Sequence, residues 1–187
     1  MDESGLAENT LVIYSSDQGF YLGEHGWYDK RWMYEESLQM PFVARWPGRI
    51  EPGTRVPQMI QNIDYAPTFI DMAGEVVPSD IQGESLLGLM AGEAQADWRD
   101  SIYYHYYEYP EPHRVAPHYG VRTERHKLVH YYETEEWELF DLVDDPQEMR
   151  SVYDEPERAE LVATLKAELC RLRQHYADDT GVEFTDG

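Results

Sequence analysis

The stretch SSDQGFYLGEHGWYDKRWMYEESLQMPFVARWPG, residues 15–48, decides how the chain is read. Its strand begins a little earlier: TLVIYSSD (10–17) is a short apolar run rich in β-branched and aromatic residues, which predicts a buried strand. Asp17-Gln18-Gly19 is a turn signal, and residues 18–32 form a loop carrying Gly19, Gly23 and Gly26. MYEESLQ (33–39) predicts a short helix that Pro41 stops, and PFVARWPG a second buried strand closed by Pro47-Gly48. In parallel α/β sheets, ligands gather outside the carboxyl ends of strands. Asp17 and Gln18 fall at such an end, and their carboxylate and carboxamide oxygens suit a hard divalent cation such as Ca²⁺ or Mg²⁺. Two oxygens fall short of the roughly six to eight that Ca²⁺ takes. An Asp that only closes a strand–turn explains the same residue. Lys30 offers a point charge to an anion, and His25 a proton to a leaving oxygen. A solvated Lys and a hydrogen-bonded loop His are the plainer alternatives, and Arg31 reads as a surface or structural group.

Residues 49–58 are a Pro/Gly loop, and residues 63–74 predict an amphipathic helix with Asp64 as N-cap and Gly74 as its stop. Residues 75–100 are irregular apart from the apolar piece Leu86 to Met90. Near residue 100 the texture changes. SIYYHYYEY (101–109), HYGVRTERHKLVHYY (118–132) and WELFDL (137–142) predict strands of an antiparallel sheet. Residues 156–177 predict a closing helix with Leu161, Leu165, Leu169 and Leu172 on one stripe and Pro156 in its first turn. The tail beyond Asp178 is expected to fray. The expected division is 1–97, an α/β piece, and 98–187, a small sheet with a helix.

Lys and Arg total 15 against 37 Asp and Glu, a formal charge of −22. Such a chain repels nucleic acid and anionic lipid, and neither is an expected partner. It also repels an anionic substrate unless a local cation reverses the field. No apolar run approaches the roughly 20 residues of a membrane-spanning helix. The one cysteine, Cys170, excludes an intrachain disulfide and reads as a helix-face residue. MDESGLAENT at the N-terminus has no basic or apolar region of a signal peptide.

The order Asp-Gln, Gly, Gly-Glu-His-Gly, Lys, short helix and Pro-led strand over residues 15–48 resembles the C-terminal signature of type I sulfatases, in the alkaline-phosphatase-like superfamily. The stretch HYGVRTERHKLVHYYETEEWELFDLVDDPQEMRSVY resembles the C-terminal subdomain of the same family, so the likeness runs from about residue 8 to about residue 175. The resemblance implies an α/β fold: the C-terminal portion of an alkaline-phosphatase-like sheet plus a small antiparallel subdomain with a C-terminal helix. It implies that Asp17 and Gln18 are two ligands of a Ca²⁺ ion and that Lys30 contacts the sulfate. His25 either faces the substrate or holds the loop. His118 and Arg122, after the Pro-containing loop EPHRVAPHYGVRT, become candidate substrate contacts. The implied reaction is hydrolysis of a sulfate ester on a carbohydrate or another small molecule. The alternatives are a phosphodiester or phosphonate hydrolase of the same superfamily, and a non-enzymatic remnant or association module.

The family's nucleophile is a formylglycine made from Cys or Ser in a Cys/Ser-x-Pro/Ala-x-Arg motif, which these 187 residues do not contain. Cys170, in ELCRLR, is not that cysteine. The expectation is therefore a C-terminal part of a sulfatase with Met1 as an internal start, inactive by itself. The bare edge of strand 10–17 is expected to promote self-association. A periplasmic or secreted location is what the family suggests.

Overall fold

The computed structural model describes residues 1–110 and 112–180. The chain divides into two compact units: Met1–Asp17 with Met40–Arg99, and Gln18–Gln39 with the chain from Asp100 onward. The later edge lies near the expected 97/98 boundary. Residues 18–39, however, group with the C-terminal sheet and not with the strands that flank them in sequence.

In the first unit β1 (Val12–Ser15) pairs antiparallel with β4 (Phe42–Arg45), in the register Val12↔Arg45 to Ser15↔Phe42. Neither strand is buried as expected. Each alternates in burial, and Phe42 and Ala44 of β4, with Leu11 just before β1, pack on a core of Leu86, Leu89 and Met90 beside Tyr65. The other face carries Tyr14 (68% exposed) and Val43 (62%). The expected helix is α2 (Tyr65–Met72), and the apolar piece becomes α3 (Leu87–Met90). Asp64 does not cap α2 with its side chain. Its fully buried carboxylate instead takes both guanidinium nitrogens of Arg99 (2.6 and 2.7 Å) and the backbone N–H groups of Gln61 and Glu84. A bidentate guanidinium and two amide donors compensate a carboxylate that would be costly to bury alone.

The second unit is built on a four-stranded antiparallel meander of β5 (Ser101–Tyr106), β6 (His118–Thr123), β7 (His126–Tyr131) and β8 (Glu136–Asp141). Alternation sends Tyr119, Val121, Leu128 and Leu139 to one face, where Leu165, Leu169 and Leu172 of α4 (Ala159–His175) cover them. The predicted leucine stripe is thus this packing seam. On the other face Val129 and Tyr131 pack with Met33, Trp32 and Leu38, while Phe140 packs with Tyr21 and Tyr34. Both faces of the sheet are therefore covered, the second by residues 18–39. Those residues include the ribbon of β2 (Tyr21–Leu22) and β3 (Tyr28–Asp29) and the single turn α1 (Glu35–Leu38). At the far end, Asp178 accepts hydrogen bonds from Tyr103 and Tyr107 and pairs with His105, and the Thr180 carbonyl accepts from Arg173. Of the tail expected to fray beyond Asp178, the part past residue 180 lies outside the described residues.

The open apolar face of β1 and β4 generates a test. The 187-residue chain is expected to self-associate, and Val43→Lys is expected to shift sedimentation velocity profiles towards the monomer, since a charge on an exposed strand opposes edge and face pairing. An unchanged distribution would place association elsewhere.

Candidate functional site

Ser37, fully buried in α1, organises the loop that carries the predicted chemistry. Its hydroxyl donates to the Lys30 carbonyl (2.6 Å) and accepts from Gln18 Nε2 (3.3 Å), and its carbonyl accepts from Gly19 N (2.7 Å). Gly19 has to be glycine for this approach: a Cβ there would collide with the Glu36 carbonyl and lie 2.7 Å from the Gln39 carbonyl oxygen. Committing the Gln18 amide nitrogen to Ser37 turns the carbonyl oxygen of the same group away from it. Tyr104, on β5, donates its hydroxyl to the Arg31 carbonyl (2.9 Å), so the sheet clamps the loop from a second side. One turn of helix and one tyrosine thus fix the backbone at the carbonyls of Lys30 and Arg31.

Below α1 lies a buried ionic cluster. Lys127, the second residue of β7 and fully buried, reaches Glu35 Oε1 at 2.8 Å and Glu148 Oε1 at 2.7 Å. The Lys127–Glu148 contact is ionic more than directional, because its angles miss hydrogen-bond geometry. Glu148 Oε2 also accepts the Glu35 backbone N–H (2.6 Å), an anion at the first turn of α1. Arg122 pairs with Glu35 Oε2 at 3.1 Å. Burial alone would raise the Glu35 carboxyl, but Lys127 and Arg122 outweigh it and hold it down at about 2. At Glu148 burial wins, and the carboxyl is raised in spite of Lys127.

The predicted site residues divide by location. Asp17 is exposed at the end of β1, its carbonyl accepting from Asn62 Nδ2 (3.2 Å), and it closes the first unit, whereas Gln18 opens the second. Lys30 is half-buried, with its backbone N–H donating to Asp29 Oδ1 (2.8 Å). His25 has φ 53°, stacks on Tyr34 at 4.6 Å and 14°, and sets Nε2 3.3 Å from Glu36 Oε2, so it holds the loop. His118 is 0% exposed, stacked on Trp32, Tyr104 and Tyr106, with Nδ1 donating to the Ala116 carbonyl (2.8 Å). Burial pushes its imidazole down to about 4. His118, expected as a substrate contact, is thus a buried ring stacked on Trp32, and Arg122, expected likewise, pairs with Glu35.

Sequence reading passed over a cluster beside Lys30. Arg31 pairs with Asp29 through Nη1 and meets His113 Nε2 through Nη2 (2.9 Å), while His113 Nδ1 lies 3.3 Å from Asp29 Oδ2. All three are partly exposed. Asp29 and Arg31 flank Lys30 and were within reach of inspection. His113 is 82 residues from Arg31, and no local pattern announces it. Among the described residues no group of three or more His, Cys, Asp or Glu side chains is arranged to hold a metal.

The chain has counterparts among known proteins. Residues 23–175 match the model of the N-sulphoglucosamine sulphohydrolase C-terminal family. An N-acetylglucosamine-6-O-sulfatase of Bacteroides thetaiotaomicron is 46% identical over 182 residues, 96% of this chain and 33% of its own length. A solved structure of a protein in complex with its substrate D-glucosamine-2-N,6-O-disulfate superposes with a TM-score of 0.92 at 45% identity, covering 96% of this chain and 37% of that one. A phosphonate monoester hydrolase from Silicibacter pomeroyi gives a TM-score of 0.83 at 28% identity, with 96% and 37% covered. The chain therefore spans about a third of the length of the relatives it matches. Fold and loop together define the C-terminal portion of a sulfatase of the alkaline-phosphatase-like superfamily. Within that class, the chain belongs to the N-sulphoglucosamine sulphohydrolase C-terminal family.

Two measurements follow from the buried groups. Lys127→Met leaves two carboxylates without their buried cation and is expected to destabilise the second unit by about 3–5 kcal/mol in urea unfolding. His118 has a folded pKa near 4 against 6.5 in the unfolded chain, so the unfolded state binds its proton first. The stability from its neutral form is complete above pH 6.5 and is lost as pH falls towards 4, a change worth about 3 kcal/mol. Comparing urea midpoints from pH 7 to pH 4.5, His118→Phe is expected to flatten the acid slope relative to the unaltered chain.

Proposed function

We propose that this chain is the C-terminal part of an enzyme that hydrolyses a sulfate ester on a glucosamine-type sugar. The observation that carries the reading is the Ser37 clamp. It holds Gln18 and Lys30 on a loop whose sequence order and fold match those of a protein seen with a disulfated glucosamine. On this reading Asp17 and Gln18 donate oxygens to Ca²⁺, a hard ion that these hard donors fit, with the other ligands supplied from outside these residues. When bound, such an ion supplies positive charge to the sulfate oxygens. The formylglycine nucleophile lies likewise outside the 187 residues.

The chain's own groups act on charge and position. Hydrolysis breaks the bond between sulfur and the sugar oxygen, and negative charge moves onto that leaving oxygen. Lys30 sets an ammonium against the sulfate, and its fixed backbone makes that field preorganised and not induced. It also offsets the −22 background that would otherwise repel the substrate. Asp29, Arg31 and His113 present one acceptor and several donors to sugar hydroxyls beside it. His25, His118 and Arg122 are positioning residues, acting through Tyr34, Trp32 and Glu35 respectively. The phosphonate hydrolase with the same fold supports a second reading, in which the same cationic loop takes a phosphonate ester.

The test uses the full-length protein that carries this segment. Lys30→Ala is expected to lower sulfate release from 6-O-sulfated glucosamine about 100-fold or more, as loss of a preorganised charge does. Asp29→Asn is expected to act mainly on KM. The 187-residue chain alone is expected to show no turnover. Faster hydrolysis of a phenyl phosphonate ester than of the sulfated sugar would favour the second reading.

A further inference from the structure

The second unit has a cleft of about 430 Å³ that the sulfate chemistry does not use. Its walls include Trp27, Tyr34, Phe140 and Met149, with His25 at the side and the Glu138 carboxylate among them. The rings are ordered: His25 stacks on Tyr34 and Trp32 on one face of Trp27, each at 4.6 Å, and Tyr34 meets Phe140 edge-on at 5.6 Å and 70°, so Trp27 is the partly exposed ring. Met149 is 68% exposed, and its soft thioether lies at the mouth. Glu138 Oε2 accepts the hydroxyls of Tyr34 (2.7 Å) and Tyr131 (2.9 Å). Two phenols hold the carboxylate in place but leave its charge uncancelled. Among the described residues Glu138 pairs with no Lys, Arg or His, whereas Glu35 and Glu148 share Lys127 and Arg122, and Glu36 faces His25. The cleft thus presents negative charge beside the Trp27 ring, and an aromatic face is itself negative.

An anionic sugar sulfate is repelled by such a surface. A cation is attracted twice, by Glu138 and by the ring quadrupoles. We propose that this cleft binds an organic ammonium group, seated against Trp27 with Glu138 as its counter-charge. The volume admits a tetramethylammonium-sized head and its attached chain, and the open mouth beside Met149 admits the chain. The group belongs either to a free amine or to the side chain of a lysine on a peptide.

Ligand-observed NMR titration of the 187-residue chain tests this with tetramethylammonium and butylammonium, against tert-butanol as a neutral molecule of similar shape. Both cations are expected to bind, and tert-butanol at least tenfold more weakly, about the worth of one desolvated cation–π contact with its counter-charge. Glu138→Gln keeps an acceptor for Tyr34 and Tyr131 and is expected to weaken the cations about tenfold while leaving tert-butanol unchanged. Trp27→Ala, at the partly exposed wall, serves if Glu138→Gln unfolds, and is expected to weaken the cations likewise. Acetyl-Gly-Lys-Gly-amide set against butylammonium separates the two sources: comparable binding assigns a lysine side chain, and exclusion of the peptide a free amine. Absence of cation binding, equal binding of tert-butanol, or affinities indifferent to both variants would overturn the proposal.

Discussion

A fully buried lysine ammonium holds the second unit together. Taking such a group out of solvent costs several kcal/mol, and two carboxylates with a neighbouring guanidinium offset that cost only in one arrangement. The arrangement requires Glu35 from α1, Glu148 from the segment after β8, and Lys127 and Arg122 from adjacent strands to meet at one point. Apolar packing tolerates small slides, but an ionic cluster in a low-dielectric interior does not. Fixing Glu35 fixes α1, and fixing α1 fixes Ser37, which holds Gln18 and the Lys30 carbonyl. The geometry of the loop over residues 18–39 is therefore inherited from a charge cluster beneath it.

The same shortage of cations shapes the rest of the unit. With 37 acidic residues and 15 Lys and Arg, most carboxylates have no basic partner to claim. Fifteen tyrosines fill part of the gap. Tyr34 and Tyr131 donate to Glu138, Tyr103 and Tyr107 to Asp178, and Tyr106 to Glu108. A phenol satisfies a carboxylate oxygen without neutralising it and brings a ring that fills the core at the same time. Burial pushes several of these phenols above their ordinary range, Tyr106 to about 12, so at neutral pH they remain donors.

Periodicity made the frame legible. Alternation announced β5 to β8, the leucine stripe announced α4, and Pro41 marked the end of α1 before β4. The strands β1 and β4 were read as buried because their residues are apolar. Apolar composition does not say how many faces are covered, and here one face is. The family was legible through the ordered motif of residues 15–48, but the supports of that loop were not. Lys127 and His118 are polar letters in strands, and type alone assigns them to the surface. Their burial follows from residues 18–39 lying on the second face of the sheet, a long-range fact that no local window contains. Asp64 sat where a cap belongs, yet its partner Arg99 is 35 residues away.

Residues 18–39 also bear on how such a chain is inherited. The second unit is assembled from two separated stretches of sequence, joined across the intervening residues 40–99. A single recombination event near residue 99 would transfer the sheet and α4 without the loop that seats on them. The recipient would keep its own Glu35 and Ser37 equivalents facing a foreign lysine. Exchange of this region between relatives therefore demands two coordinated crossovers, or compensating change on both sides of one. The gene is continuous where the inherited module is not.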